Sequence, residues 1–289
     1  MSATGVTLQP GDVLGAYRID RLLAESGLER AYLAEADEGR RVVVKVPRFD
    51  TVVNAESLRR FTRQAQTAAR VSDARVVELL GSGQLADGVP YVVEEYVGGG
   101  SLQDLIGRRS IEIGTAVQVC SDVARGLDVL HEARIIHRSL TPACILLEDD
   151  LHAKVGGFAL AKDRDASNLT RAGHTVGAAH YMAPEQIRGE EVSPATDVYA
   201  LGCVLYATLT GQPPFASQVG MKLLWAHLQN AAPDPRTLRQ EIPVDLSWTL
   251  ARALAKDPKE RPATAGTFAR LVQISWESAA LRSRDPAHG

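Results

Sequence analysis

Cysteine is scarce in this chain, and basic residues are not in excess. The 289 residues include three cysteines that lie far apart without a CxxC motif, so a disulfide framework is not expected. Reduced thiols are typical of a cytosolic compartment. The net charge is −3, whereas a nucleic-acid-binding surface usually carries a basic excess. We therefore expect no nucleic-acid partner.

Long apolar runs are also missing. The N-terminal residues lack a basic region followed by an apolar stretch, so they do not form a secretory signal. The longest nearly apolar run, residues 198–209, is too short to span a bilayer and fits a buried helix. This pattern predicts no membrane insertion by this segment. It indicates a cytoplasmic location, either of a whole protein or of the cytosolic part of a longer membrane-anchored one.

The residues that are present change in character along the chain. Residues 17–97 read mostly as β-strands, interrupted by one predicted helix at 55–71. After three glycines at 98–100, an apolar helical face at 113–130 opens a mainly helical region with a hairpin-like piece near 145–155. We expect four regions: an N-terminal tail at 1–14, a β-rich lobe at 15–97, a helical lobe at 98–276 and a C-terminal tail at 277–289.

Six short motifs occur in a fixed order across this plan. They are VVVK ending at Lys45, HRSL from His137, GFA from Gly157, YMAPEQ from Tyr181, DVYALG from Asp197 and DPKERP from Asp257. From about Tyr17 to Leu271 the chain thus resembles the bacterial eukaryotic-like (Hanks-type) Ser/Thr protein kinases. The resemblance implies an α+β fold with a small β-rich N-lobe, which carries one main helix, and a larger α-helical C-lobe.

The resemblance assigns nucleotide-binding roles to part of the N-lobe. The three glycine positions of the family's phosphate loop hold Ala24, Ser26 and Glu29, so the loop is degenerate and is expected to cradle phosphate poorly. Lys45 matches the lysine that contacts the α- and β-phosphates. Its usual glutamate partner on the following helix corresponds to Gln64, which cannot form an ion pair.

Two further N-lobe positions complete this expected site. Glu94 falls at the back of the adenine pocket, where a buried carboxylate needs a cation, and Lys45 is the nearest one expected. We therefore predict a contact between Glu94 and Lys45. Val43 stands where the family usually has an alanine that meets adenine, and Ala31 stands where it usually has a valine. The two changes in side-chain volume offset each other.

The family's chemical groups are replaced in the C-lobe. Ser139 stands for the base aspartate, Thr141 for the lysine that steadies the phosphoryl group, and Cys144 for the metal-binding asparagine. Gly157 stands for the metal-binding aspartate, so no metal site is expected. Ala178 replaces the threonine that bonds to the base aspartate and the nearby lysine.

The residues that pack and tether this lobe are retained. They are His137, Arg138, Phe158, Glu185, Asp197 and Arg261. The resemblance implies that Asp197 accepts backbone hydrogen bonds from the loop around His137, and that Glu185 and Arg261 form a buried ion pair. Arg138 is in a position to meet a phosphate on the activation segment, where Ser167, Thr170 and Thr175 are candidate acceptors.

Loss of the chemical groups together with retention of the packing groups predicts a catalytically inactive kinase-like domain, a pseudokinase without a cofactor. It would act as a scaffold or a regulatory signalling module, and an active Ser/Thr kinase or a phosphothreonine-reading domain would be its partner. Two alternatives stay open. One is a sensor that binds ATP weakly without magnesium, and the other is a weakly active Ser/Thr protein kinase.

Overall fold

The computed structural model describes most of the chain as two compact units. The described residues are 7–25, 29–47, 69–86, 88–108, 110–157 and 176–284. The first unit comprises the described residues up to 73 together with 77–97, and the second comprises 74–76 and the described residues from 98 onward. The main break follows Val97, beside the glycine run at 98–100.

The first unit is an antiparallel six-stranded sheet with the order β1-β2-β3-β4-β6-β5. Its strands are β1 Val13–Leu14, β2 Tyr17–Glu25, β3 Glu29–Glu35, β4 Arg41–Pro47, β5 Leu79–Gln84 and β6 Pro90–Glu95. Strand β4 lies between β3 and β6, and its sequence RVVVKVP is rich in β-branched residues that suit a strand covered on both faces. The predicted helix at 55–71 lies largely outside the described residues.

One face of this sheet buries a small apolar core. Ile19, Tyr32, Val44 and Val93 are each at most 1% exposed. Leu8 joins this core, and its backbone N–H donates to the hydroxyl of Tyr32. The described start of the chain is therefore packed, although we predicted a tail up to residue 14. Residues 1–14 contain only scattered apolar side chains, which give no periodic signal, and this is why the packing was missed.

The second unit is mainly helical. Its helices are α1 Leu102–Arg108, α2 Ile113–Glu132, α3 Val176–Ala179, α4 Pro184–Arg188, α5 Pro194–Thr210, α6 Gly220–Gln229, α7 Val244–Ala253 and α8 Ala265–Arg284. The apolar face predicted at 113–130 is the buried face of α2, and the apolar run at 198–209 is buried throughout in α5. Within the described ranges, no helix is long and apolar enough to cross a membrane.

A two-stranded hairpin lies beside α2 in this unit. Strand β7 (Ile145–Leu147) pairs with β8 (Ala153–Val155), as the pattern near 145–155 predicted. The hairpin places Cys144 directly before β7 and Gly157 two residues after β8, and the backbone N–H of Gly156 donates to the carbonyl of Cys144. Two positions with predicted chemical roles are thereby brought together.

The last helix is longer than expected. We predicted a tail from residue 277, but α8 continues to Arg284. The sequence ESAALRSR consists largely of good helix formers. An ion pair between Arg282 and Asp245 on α7 also stabilises this end.

We predict that Gly126 in α2 is required by close packing. A Cβ atom there would lie 2.5 Å from the carbonyl oxygen of Arg75 and 3.0 Å from Cγ2 of Val155. Gly126→Ala should lower the unfolding free energy by about 1–3 kcal/mol, as overpacking does. The matched control is Gly114→Ala in the same helix, where the nearest atom is 3.9 Å away. This control should be neutral or stabilising in chemical denaturation.

Candidate functional site

Three strands of the first unit bring one lysine and two glutamates onto the same face of the sheet. Lys45 on β4 lies opposite Ala31 on β3 and Val92 on β6. Residues two apart on a strand share a face. Glu29 and Glu94 are therefore the diagonal neighbours of Lys45, within reach of its long side chain.

The side-chain geometry shows that both carboxylates approach the lysine. Nζ of Lys45 lies 2.7 Å from Oε2 of Glu94 and 4.0 Å from Oε1 of Glu29. The side chains of Lys45, Glu94 and Glu29 are 12%, 4% and 24% exposed. The predicted contact between Lys45 and Glu94 is present. The sequence did not reveal Glu29 as a second neighbour of the lysine, because this proximity depends on the register of β3 against β4, which the sequence does not give.

Among the described residues, the carboxylates of Glu29 and Glu94 both lie near the ammonium of Lys45. Burial raises the pKa of Glu29, the charge of Lys45 lowers it, and the charge of Glu94 raises it again, so that the pKa lies above its ordinary value. The surroundings of Glu29 therefore disfavour its carboxylate form. Glu94 keeps the short contact with the ammonium.

The residues predicted to meet adenine lie on this same face. Val43 precedes Lys45 by two positions and is 8% exposed, and Ala31 is half-buried opposite Lys45. Their nucleotide-binding roles remain predictions. Gln64 and Ser26 lie outside the described residues.

In the second unit, the carboxylate of Asp197 organises the loop that begins at His137. Its two oxygens accept the backbone N–H groups of His137 at 2.8 Å and Arg138 at 2.9 Å. The ring Nε2 of His131 lies 2.7 Å from the same carboxylate. Asp197 is completely buried at the start of α5, so these bonds hold a loop on a rigid helix.

The ring of His137 completes this arrangement. Its Nε2 lies 2.9 Å from the carbonyl oxygen of Gly156, and the backbone N–H of Ser139 donates to its Nδ1 at 3.3 Å. A neutral ring with the proton on Nε2 satisfies both contacts. Burial lowers the pKa of His137, although Asp197 opposes the shift, which agrees with a neutral imidazole.

The substituted positions cluster next to this loop. Sγ of Cys144 lies 3.5 Å from Oγ1 of Thr141 and 3.5 Å from the carbonyl oxygen of Ser139. Gly157 has a φ of +78°, and a Cβ atom there would lie 3.1 Å from this sulfur. The structure thus brings together all four positions that the resemblance assigns to catalysis.

A buried ion pair ties the segment after residue 176 to the rest of the unit. Arg261 donates from Nη1 and Nη2 to the two carboxylate oxygens of Glu185, at 2.7 and 2.8 Å. This is the pair that the resemblance implied. Burial alone would raise the pKa of Glu185, but the hydrogen bonds and charge of Arg261 outweigh it, and the pKa is lowered.

Sequence reasoning missed one residue that links these two regions. Gln186 on α4 donates from Nε2 to the carbonyl oxygen of Arg138 at 2.8 Å. The glutamine directly follows Glu185 in the YMAPEQ motif, and this adjacency is the signal that could have identified it. Ala178, on the short helix α3, is half-buried. Phe158, Ser167, Thr170 and Thr175 lie outside the described residues.

The two units together define a protein kinase fold, with a β-sheet N-lobe and a helical C-lobe. The kinase domain of Mycobacterium tuberculosis PknI aligns with 94% of this chain and 100% of its own, at a TM-score of 0.76 and 24% identity. Rad53 in complex with AMP-PNP aligns with 89% of this chain and 65% of its own, at a TM-score of 0.74 and 23% identity. These likenesses establish the fold.

The sequence comparisons establish the family. Residues 27–276 match the protein kinase domain family, and the chain belongs to it. It is homologous to bacterial Hanks-type Ser/Thr protein kinases. The serine/threonine-protein kinase PknB of Mycobacterium leprae is 33% identical over 92% of this chain and 44% of its own length. Probable serine/threonine-protein kinases of Clostridium acetobutylicum and Bifidobacterium longum are each 34% identical, over 85% and 88% of this chain.

The family finding corrects our prediction that the chain is a catalytically inactive pseudokinase. The relatives are named as serine/threonine-protein kinases, and no comparison indicates inactivity. The prediction rested on the replacement of the base, metal-ligand and phosphate-contacting residues together with the retention of the packing residues, and a weakly active kinase stayed open as an alternative. Phosphoryl transfer depends mainly on positioning and charge stabilisation, so the loss of individual groups lowers the rate without setting it to zero. The chain spans 37–44% of the length of these relatives.

The prediction that no cofactor is used is corrected as well, because Ser/Thr protein kinases use ATP with Mg²⁺. The described residues fit the nucleotide through the ammonium of Lys45. They do not fit the ion at the two expected positions, where Cys144 offers a thiol and Gly157 has no side chain, whereas Mg²⁺ prefers oxygen ligands. Elsewhere in the described ranges, no cluster of three or more His, Cys, Asp or Glu side chains is arranged for a metal.

We predict that the Glu185–Arg261 pair contributes strongly to stability. Glu185→Gln would leave the buried guanidinium without a counter-charge, and the unfolding free energy should fall by about 3–5 kcal/mol. Because the pKa of Glu185 is lowered, this contribution is present above its ordinary value of 4.5 and is lost as the pH falls through the native pKa. Urea denaturation at several pH values measures both effects.

The control for this variant is Glu190→Gln. Glu190 pairs with Arg188 at 3.6 Å, but its side chain is 54% exposed. Its loss should change the unfolding free energy by less than about 0.5 kcal/mol. Equal losses from the two variants would contradict the importance of the buried pair.

We also predict a pH-dependent effect at Glu29. Because its native pKa is raised, the native state prefers the protonated acid, and stability is lost as the pH rises through the native pKa. Glu29→Gln avoids this loss, so its Tm should increasingly exceed that of the native chain as the pH rises above 4.5, the ordinary pKa of a glutamate. Glu35→Gln, at an exposed position on the same strand, should show no such trend. A constant Tm difference for Glu29→Gln would refute the prediction.

Proposed function

We propose that this chain is a slow Ser/Thr protein kinase domain, which transfers the terminal phosphoryl group of ATP to a hydroxyl group of a signalling protein. The observation that carries the proposal is the ion pair of Lys45 with Glu94, because it holds a phosphate-binding ammonium on a rigid sheet. Homology to proteins named as Ser/Thr protein kinases supports the same assignment.

The chain's own residues perform positioning in this proposal. Lys45 attracts the phosphates of ATP through its charge. Asp197 and the neutral ring of His137 fix the backbone around Ser139, near which the acceptor hydroxyl is held. The P–O bond to the leaving diphosphate breaks, a P–O bond to the acceptor oxygen forms, and the hydroxyl proton passes to solvent or a phosphate oxygen.

The proposal assigns a low rate because Ser139 cannot act as a base near neutral pH. General-base catalysis typically contributes about 10²–10⁴-fold. The turnover number is therefore expected to lie at least about a hundredfold below the 1–100 s⁻¹ that is usual for kinases. Ser167, Thr170 and Thr175 are proposed acceptors within the chain itself, and an active Ser/Thr kinase or a phosphothreonine-reading domain is a proposed partner.

The proposal predicts phosphate incorporation that depends on Lys45. The purified chain is incubated for hours with γ-labelled ATP, MgCl₂ or MnCl₂ and a generic substrate such as myelin basic protein, and labelled sites are then mapped by mass spectrometry. Lys45→Ala should reduce incorporation by at least about tenfold, because it removes the ammonium from the phosphates.

Lys222→Ala is the matched control, since Lys222 is an exposed lysine on α6. It should leave incorporation unchanged. This result would also show that the separately purified proteins do not differ in contaminating kinase activity. Incorporation by the native chain that does not exceed that of Lys45→Ala would overturn the proposal.

A further inference from the structure

The carboxylate that pairs with Lys45 comes from a strand of the sheet. Glu94 belongs to β6, the strand next to β4, and Val43 is its direct cross-strand neighbour. Its side chain is 4% exposed, and its Oε2 lies 2.7 Å from Nζ of Lys45. The sheet itself therefore supplies the counter-charge.

Burial makes this pair demanding in energy. An unpaired buried carboxylate is strongly unfavourable, and a lysine loses rotamer entropy when its ammonium is fixed. A short contact between adjacent strands meets both demands, because the two backbones are already held together by the sheet. Glu29, at 4.0 Å and 24% exposed, is a weaker second neighbour.

We propose that Glu94 is the positioning residue of Lys45, so that a carboxylate on the sheet orients the ammonium toward the phosphates of ATP. The resemblance assigns this task to a helix residue, and that position holds Gln64, whose amide cannot form an ion pair. The inference rests on the proposed function, in which Lys45 contacts phosphate. It implies that the orientation of Lys45 is set by strand pairing within the first unit.

The first test measures Lys45 without any nucleotide. The folded chain is treated with a limiting amount of an acetylating N-hydroxysuccinimide ester, and the modification of each lysine is followed by mass spectrometry. Without the carboxylate of Glu94, the neutral amine of Lys45 becomes more populated, and Glu94→Gln should raise its acetylation rate at least about threefold. The exposed Lys222 and Lys259 serve as internal references.

Glu29→Gln is the matched variant in this measurement. It should change the acetylation of Lys45 less than Glu94→Gln does, because the contact it removes is longer. If Glu94→Gln does not fold, Glu94→Met replaces it, since an apolar residue of similar volume is tolerated at buried charge positions. An acetylation rate that is unchanged in the folded Glu94 variant would overturn the inference.

The second test separates positioning from general structural support. The affinities of the native chain and the variants for AMP-PNP and for adenosine are measured by calorimetry. Glu94→Gln should weaken AMP-PNP binding at least about fivefold more than it weakens adenosine binding, because only AMP-PNP has phosphates that Lys45 can contact. Glu94→Asp, which keeps the charge, should recover part of the loss. Equal weakening for both ligands would indicate a merely structural role and would overturn the inference.

Lys45→Ala distinguishes this inference from the function on which it rests. If Lys45→Ala binds AMP-PNP as tightly as the native chain, Lys45 does not contact the phosphates and the proposed function fails. If Lys45→Ala loses affinity while Glu94→Gln does not, the proposed function stands and the positioning role of Glu94 fails.

Discussion

The carboxylate of Asp197 is the constraint on which the loop after α2 depends. It is fully buried, it accepts hydrogen bonds from two backbone N–H groups, and it contacts Nε2 of His131. Arg138 has a φ of +63°, a left-handed conformation that costs about 1–3 kcal/mol outside glycine, and its N–H is one of those bonded to Asp197. The shape of the loop is therefore set by backbone contacts, and side chains beyond it can change without unfolding it.

The sequence predicted those features that depend on local periodicity or on ordered motifs. The helix α2, the buried helix α5, the hairpin and the kinase fold all follow from such signals. The contact of Lys45 with Glu94 was also accessible, because a buried carboxylate must find a cation. The position of Glu29 beside Lys45 was not, since it depends on strand register, and a change of one residue would turn it to the other face.

The assignment of activity shows a different limit of sequence reasoning. Cys144 and Gly157 stand at the family's two metal-ligand positions and do not suit Mg²⁺, and the structure places them next to each other. Side-chain identity at these positions nevertheless describes single contributions to a rate, and each contribution is finite. Family membership rests on a match over residues 27–276, which includes many more positions than these two. Inactivity therefore does not follow from the replacement of these groups alone.

The charge balance around Lys45 connects the sheet to the proposed chemistry. Among the described residues, the ammonium of Lys45 faces the carboxylates of Glu29 and Glu94, so an approaching phosphate competes with these carboxylates for the same ammonium. Glu94 is the more buried acid with the shorter contact, and removing it from the ammonium would leave an unpaired buried charge. Glu29 is more exposed and has the longer contact, and burial raises its pKa, which makes its carboxylate form less favourable than it is in water. Of the two acids, Glu29 is therefore the one that can give way to a phosphate, while Glu94 continues to hold the lysine.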